Sequence, residues 1–280
     1  MSTTDLRDET VDVAKTFESG ALYHWWKRDE WYETTIGGGF LRVRDDGNGF
    51  VYESEGIGEA EVARFLGLDD DFADVEEAMT DDEVAGEVYE KHRGLRIPRE
   101  DPFACAVSFI ASAQSRNERT RGVIRRLCEH QGETKEGWSA HTFPSAEQVA
   151  RLNEDELREV GFGYRAPYIK ETARTIADGD VTLEGLRDAS YSEAHGELKR
   201  LKGVGDKVAD CVLLFSLGFV GVVALDTWLK RIISELYPEL QGDTYAETAR
   251  AFREHFDGYG GYAQTYLYHE ARTGDLNLDL

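Results

Sequence analysis

The hydrophobic period of this chain changes once, near residue 59, and that change restricts the folds open to it. Residues 16–54 read as strands and turns. Phe40-Leu41-Arg42-Val43-Arg44 and Phe50-Val51-Tyr52 alternate as half-buried strands do. Ala21-Leu22-Tyr23-His24-Trp25-Trp26 is rich in aromatics, and Gly37-Gly38-Gly39 and Asp46-Gly47-Asn48-Gly49 punctuate the stretch. A small antiparallel sheet is expected there. From residue 59 onward the spacing is helical. Asp101-Pro102 predicts a helix with proline in its first turn, followed by the apolar stripe Phe103, Val107, Ile110 and Ala111. Further helices are predicted over 117–129 (Val123, Ile124 and Leu127 inward), 145–153 (capped by Ser145), 164–178, 191–200, 206–218, 225–236, 243–255 and 259–273. The expected fold class is α+β, mostly α: a domain over residues 1–96 carrying the sheet, then a helical domain over 97–280 whose last helix packs back on the first domain. No internal repeat or low-complexity segment interrupts it.

Composition narrows the partners. At 280 residues with 41% hydrophobic content the chain can bury a sizeable core. It has no apolar run of 18 residues, so no membrane span is expected. Met1 to Lys15 is polar and acidic, unlike a secretory signal. The three cysteines, Cys105, Cys128 and Cys211, are too few and too scattered for a disulfide framework or a cluster held by Cys alone, which fits a reducing compartment. A net charge of −23 argues against a polyanionic partner if taken whole, because phosphate contacts need Lys and Arg. The charge is unevenly spread, however. Residues 53–90 hold fifteen acidic side chains against Arg64 alone, whereas 114–126 hold Arg116, Arg119, Arg121, Arg125 and Arg126 against Glu118 alone. A basic face on an acidic body is expected. Such acidity fits adaptation to high salt, and fits an ordinary acidic cytosolic protein as well.

The segment Leu201-Lys202-Gly203-Val204-Gly205-Asp206-Lys207-Val208-Ala209-Asp210 lies between two helical patterns. Gly-Val-Gly permits a tight turn that residues with a Cβ resist. Backbone amides at the turn and at the start of the next helix then point outward together, an anion site suited to a phosphate. A plain helix–helix turn is the usual meaning of Gly-x-Gly. Lys207 beside the turn, with Asp226 nineteen residues on, makes this one more specific. Taken alone, Lys207 also reads as a surface phosphate contact, and Asp226 as the N-cap of the helix beginning Thr227-Trp228-Leu229.

In this hairpin the chain resembles the helix-hairpin-helix superfamily of DNA glycosylases, whose hairpin is followed by a Gly/Pro-rich loop and an Asp. Within that superfamily it is most similar to the 8-oxoguanine DNA glycosylase/AP lyase family. The likeness runs over nearly the whole chain: Asp101-Pro102-Phe103 through Leu127-Cys128, Gly161-Phe162-Gly163-Tyr164-Arg165-Ala166, Lys207-Val208-Ala209-Asp210-Cys211 and Gly260-Gly261-Tyr262-Ala263-Gln264 occur in the family's order.

The resemblance implies a bifunctional enzyme of base-excision repair that removes oxidised guanine from duplex DNA and then cuts the strand. Lys207 is the implied nucleophile at C1′, and Asp226 the carboxylate that stabilises the developing positive sugar. An amine attacks only when neutral, and a free Lys titrates near ~10.4. Desolvation and the positive end of a helix are expected to favour the neutral form of Lys207. The target base must leave the stack to be reached. By resemblance, Gln114 fills the gap, Tyr164 wedges beside the opposite base, and Arg119 and Arg165 hydrogen-bond to that base. Gly203 and Gly205 belong to the phosphate-binding hairpin. A Gly20 carbonyl would read the N7 proton of 8-oxoguanine, Tyr268 and Cys211 would contact its two faces, and Gln264 would read its Watson–Crick edge. Ordinary structural roles stay open for each: core packing for Cys211, Tyr164 and Tyr268, helix polarity for Gln114 and the two Arg.

No cofactor is implied, although main-chain carbonyls such as those of Leu201 and Val204 would hold a monovalent cation at the hairpin. No residue cluster suggests Zn²⁺, and His24, His92 and His195 have no assignable partners. The implied partner is damaged double-stranded DNA, with no membrane. The expected protein is a monomer in the cytoplasm, with the chromosome. Two departures bear on substrate: Gln114 stands where the family has Asn, as in relatives that remove alkylated or mismatched bases, and Thr227-Trp228 follows Asp226 where the family has a His two residues on. Two alternatives follow: a glycosylase for alkylated purines such as 3-methyladenine, whose members generally lack the hairpin Lys, and a non-catalytic helix-hairpin-helix DNA-binding protein, which needs neither Lys207 nor Asp226.

Overall fold

The computed structural model describes residues 10–47 and 49–274. Residues 1–9 of the acidic N-terminal stretch and Asn48 of the expected turn lie outside them. A helix, α1 (Val13–Glu18), comes first. Residues 16–18 belong to the stretch read as strands and turns, but the Asp12 side chain accepts from the Lys15 amide at 2.9 Å and caps the helix, and Val13 and Phe17 share one buried face. Four strands follow, β1 (Trp26–Arg28), β2 (Trp31–Ile36), β3 (Gly39–Asp45) and β4 (Phe50–Glu55), paired antiparallel in chain order. Gly37 and Gly38 join β2 to β3 with φ of 55° and 83°, the two positive values a two-residue hairpin turn needs. Tyr32 faces Val43, and Val43 faces Tyr52. This face forms one core with Val13, Phe17 and Trp25.

The rest is helical: α2 (Glu59–Phe65), α3 (Phe72–Thr80), α4 (Glu83–Lys91), α5 (Pro102–Ser112), α6 (Asn117–Gln131), α7 (Ala146–Arg151), α8 (Glu154–Val160), α9 (Ala166–Ala177), α10 (Tyr191–Leu198), α11 (Asp206–Phe215), α12 (Thr227–Leu236), α13 (Tyr245–His255) and α14 (Gly260–Thr273). Asp101 caps α5 through the amides of Phe103 and Ala104, and Ser145 forms a capping box with Gln148 on α7. Helix α5 is buried along nearly its whole length and packs on α11, where Phe109 stacks on Phe215 at 5.3 Å.

The larger core includes Val75, Met79, Val88 and Tyr89 of α3 and α4, together with Tyr23, Trp26 and Phe40 from the sheet region. The expected division at residue 96 therefore falls inside a shared core. Helix α14 returns to α4: Tyr266 stacks on Tyr89 at 5.5 Å, and its hydroxyl donates to the Leu95 carbonyl at 2.9 Å. Glu33 on β2 is fully buried, its carboxylate accepting the amides of Ser139 and Ala140 at 2.5 and 3.1 Å. Among the described residues no helix is long and apolar enough to cross a membrane.

Candidate active site

The hairpin of residues 201–205 sets the direction of α11. Leu201 and Val204 are buried, and the Val204 amide donates to the Leu201 carbonyl at 3.2 Å. Gly203 has a φ of 86°, and a Cβ there would sit 3.1 Å from the Tyr168 side chain. Glycine is needed on both counts. The Thr172 hydroxyl donates to the Lys202 carbonyl at 2.8 Å and pins the turn to α9. Gly205 is exposed and is the N-cap of α11, so its neighbours offer open helix amides.

Lys207 and Cys211, one turn apart on α11, face a cavity of about 600 Å³. Asp226 enters it from the start of α12, where its carboxylate caps the helix by accepting the Leu229 amide at 2.8 Å. The cap fixes one oxygen of the carboxylate. The cavity thus brings together Lys207, Asp226, Cys211, Gly20, Gln264, Tyr268 and Gln114, seven of the sequence-derived site residues. The Lys207 ammonium lies 5.1 Å above the Phe109 ring.

The charge state of Lys207 differs from the sequence-based expectation. Burial pushes its pKa down, but Cys211 and then Asp226 push it up, and the net direction is upward. Burial raises the Cys211 thiol itself to about 11, so at neutral pH that sulfur is a thiol and the upward push left on Lys207 is that of the Asp226 side chain. The helix start and desolvation do not suffice to neutralise Lys207 in the free protein, because a carboxylate shares its cavity.

Gly20 sits in a turn with a φ of 94°. A Cβ there would meet the Asn117 amide nitrogen at 2.8 Å and the Tyr268 ring at 3.2 Å, so the backbone passes close to the base-stacking candidate. Arg272 of α14 holds this turn through the Glu18 carbonyl, and its guanidinium lies 5.7 Å from the Tyr268 ring centre. Gln264 is buried and its side-chain oxygen accepts the Ala224 amide at 2.7 Å. That bond fixes which end of the amide is which and leaves the NH₂ to donate to a base edge.

Two residues to which the sequence assigned no role in the site, Asn117 and Trp228, complete the pocket. Asn117 accepts from the Tyr23 hydroxyl at 3.0 Å and donates to the Tyr268 hydroxyl at 3.2 Å. Trp228 meets Tyr268 edge-on at 6.3 Å, so the departure two residues after Asp226 puts an indole against the stacking ring. These contacts join segments far apart in sequence, and no linear spacing announces them.

The remaining DNA-contact candidates lie outside the base cavity except Gln114. That residue is exposed at the mouth, in the turn between α5 and α6, with a φ of 51° that a side-chain-bearing residue adopts at a cost. Arg119 is exposed on α6. Tyr164, in the turn before α9, is 59% exposed, so a core-packing role is excluded. Arg165 is buried, with its guanidinium 4.3 Å from the Tyr164 ring centre and a buried Nε that meets no hydrogen-bond acceptor. The histidines have partners after all: His24 contacts the His141 carbonyl at 2.8 Å, His92 bonds Glu270, and His195 lies 3.7 Å from both Asp206 and Asp210. Among the described residues no His/Cys/Asp/Glu group forms a metal site, and the three cysteines are buried free thiols.

The HhH-GPD superfamily base excision DNA repair protein model matches residues 107–257. The chain is 32% identical to N-glycosylase/DNA lyase OGG1 of Arabidopsis thaliana, over 90% of this chain and 75% of that protein. It is 33% identical to the probable N-glycosylase/DNA lyase of Methanothermobacter thermautotrophicus, over 72% of each. Its structure superposes on the Clostridium acetobutylicum 8-oxoguanine glycosylase/lyase, bound to duplex DNA with cytosine opposite 8-oxoG, with a TM-score of 0.84 at 28% identity, covering 94% of this chain and 92% of that one. With the hairpin, the Lys207–Asp226 cavity and matches of this extent, the chain belongs to the HhH-GPD superfamily of base excision DNA repair proteins.

Proposed function

We infer that this protein is a bifunctional DNA glycosylase/AP lyase that excises 8-oxoguanine from duplex DNA. The observation that carries this is one cavity of about 600 Å³, a size suited to a small planar ligand, which holds an amine and a carboxylate beside an aromatic ring. Lys207 attacks C1′ as its neutral form, Asp226 stabilises the positive charge on the sugar, and the base leaves with the bonding electrons and takes up a proton. The resting Lys207 is an ammonium. A base docked in the cavity excludes water and adds desolvation, which moves the amine toward neutrality. The adduct loses its Nζ proton to solvent, and the C1′–O4′ bond opens with a proton taken up at O4′, which leaves a Schiff base. This acidifies the 2′ proton, and its transfer to water or to the departed base expels the 3′ phosphate.

The base stacks on Tyr268 and contacts Cys211, with Gly20 supplying the carbonyl for N7–H and the Gln264 NH₂ a donor for the purine O6. Gln114 fills the gap left in the duplex, exposed Tyr164 wedges beside the opposite base, and Arg119 and Arg165 contact that base. The amides around Gly203 and Gly205 take a phosphate. The Leu201 and Val204 carbonyls suit a monovalent cation, since carbonyl oxygens are hard ligands and the Leu201 oxygen keeps one lone pair beyond its bond to Val204. Such an ion would offset phosphate charge at the hairpin.

Borohydride reduction with an 8-oxoguanine duplex tests the reaction. The wild type should be trapped covalently on DNA and Lys207→Gln should not. Absence of a wild-type adduct rejects the lyase chemistry, and excision of 3-methyladenine in preference to 8-oxoguanine replaces the substrate.

A further inference from the structure

Asp210 lies between two residues of the reaction centre in the α11 sequence, three after Lys207 and one before Cys211, yet it faces away from the base cavity. It is 1% exposed. A carboxylate so placed destabilises the fold unless its oxygens are satisfied, and an apolar side chain would pack there without that penalty. Its oxygens are satisfied by two hydroxyls from other helices: Tyr191 of α10 donates at 3.0 Å and Tyr245 of α13 at 2.6 Å.

The Tyr245 oxygen does a second thing. It accepts the backbone amide of Leu225 at 3.1 Å. Leu225 directly precedes Asp226. The chain of donors therefore runs from the Leu225 amide through the Tyr245 hydroxyl to the Asp210 carboxylate, and a donor bonded to a charged acceptor is held more tightly than one bonded to a neutral group. The preceding amide, of Ala224, is held from another side by Gln264, and the Asp226 amide folds back on the Ala224 carbonyl at 2.9 Å. Three consecutive amides before α12 are thus fixed by separate partners, and the last belongs to the carboxylate that meets the sugar.

We propose that Asp210 and Tyr245 are positioning residues that aim Asp226 at the sugar by tying the loop before α12 to the nucleophile-bearing helix α11. This rests on the glycosylase reading above. Neither residue touches DNA in this scheme. Their effect passes through Asp226, whose placement matters for breaking the glycosidic bond and not for capture of an abasic site that has no such bond left.

The test uses the full chain carrying Tyr245→Phe, which keeps the ring and removes the bridging oxygen, and Asp210→Asn, whose single acceptor oxygen cannot serve both hydroxyls. Single-turnover excision of 8-oxoguanine should fall about 10- to 100-fold in each, the range a small misplacement of a catalytic group produces. Duplex affinity and borohydride trapping on a preformed abasic duplex should stay at wild-type level. In an Asp226→Asn background, Tyr245→Phe should add no further loss, because a residue acting through Asp226 has nothing left to position. The proposal is overturned by wild-type excision rates in either variant, by additive losses in the double variant, or by trapping that falls in step with excision and Tm. A wild type that excises no 8-oxoguanine overturns the glycosylase reading instead.

Discussion

Asp226 carries two tasks, and a pair of substitutions separates them. Its carboxylate caps α12 through the Leu229 amide and lines the cavity beside Lys207. Asn caps a helix about as well as Asp, whereas Ala forfeits ~1 kcal/mol. Asp226→Asn should therefore melt near the wild-type temperature while excision falls about 10²- to 10³-fold, the usual loss on removing one electrostatic stabiliser. Asp226→Ala should lose both. Thermal melts with single-turnover excision make the comparison, and an Asp226→Asn enzyme that excises at the wild-type rate would show that the charge is not used. Lys207 and Asp226 were legible because each sits beside a local signal, the Gly-Val-Gly turn and a helix start. The carbonyl end of Gln264, the bridge of Asn117 and the wall of Trp228 were not, because their partners arrive from other parts of the chain. The protonation of Lys207 is not legible for the same reason: burial and a helix start can be read from order, but the nearness of Cys211 and Asp226 in space cannot.

At the scale of elements, the caps and the 3.6-residue period located most helices to within a few residues. Helix α8 escaped because it has seven residues and only Leu157 and Val160 are buried, too few to set a period. Strand β2 lies inside the stretch read as strands and turns, but its bounds were not legible because Glu33 is as buried as Tyr32 and Thr34, which breaks the alternation. The seam between sheet and helical body holds a pair that no spacing indicates. His24, before β1, lies with its Nδ1 3.8 Å from Glu100, before α5. Burial holds His24 down to about 4 and holds Glu100 well above the usual carboxylate range. Between about pH 4.5 and 6.5 the unfolded chain binds a proton at His24 that the folded one does not, so this residue destabilises the fold as pH falls. Above its ordinary carboxylate range Glu100 keeps a proton in the folded chain that the unfolded one releases, so that residue stabilises the fold as pH falls. The two linkages oppose each other. Glu100→Gln removes one of them, so stability should fall more steeply with falling pH than in wild type. Denaturant melts at several pH values measure this, and parallel pH profiles for the two proteins would refute the assignment.

The whole molecule must bind a polyanion while carrying a net charge of −23. The sides differ: α2 to α4 expose Glu61, Asp69, Asp74, Glu77, Asp81, Glu83 and Glu87, whereas Arg116, Arg119 and Arg125 are exposed around the start of α6, beside Gln114 at the cavity mouth. At low ionic strength the acidic body repels itself and opposes the approach of DNA. Salt shortens the range of both repulsions, from a screening length of ~10 Å at 0.1 M to ~3 Å at 1 M, while close contacts within the cavity are screened far less. It also weakens the phosphate contacts, and an ordinary DNA-binding protein with 6–10 of them loses about 10³- to 10⁵-fold in affinity between 50 and 200 mM. The acid excess decides which effect wins here, because 55 Asp and Glu stand against 32 Lys and Arg. Tm should rise with KCl toward molar concentrations, and excision should persist or increase there. Excision measured from 0.05 to 2 M KCl tests the balance: an optimum below ~0.2 M would mean that phosphate contacts, not self-repulsion, set the salt response, and that the acidity serves something other than high salt.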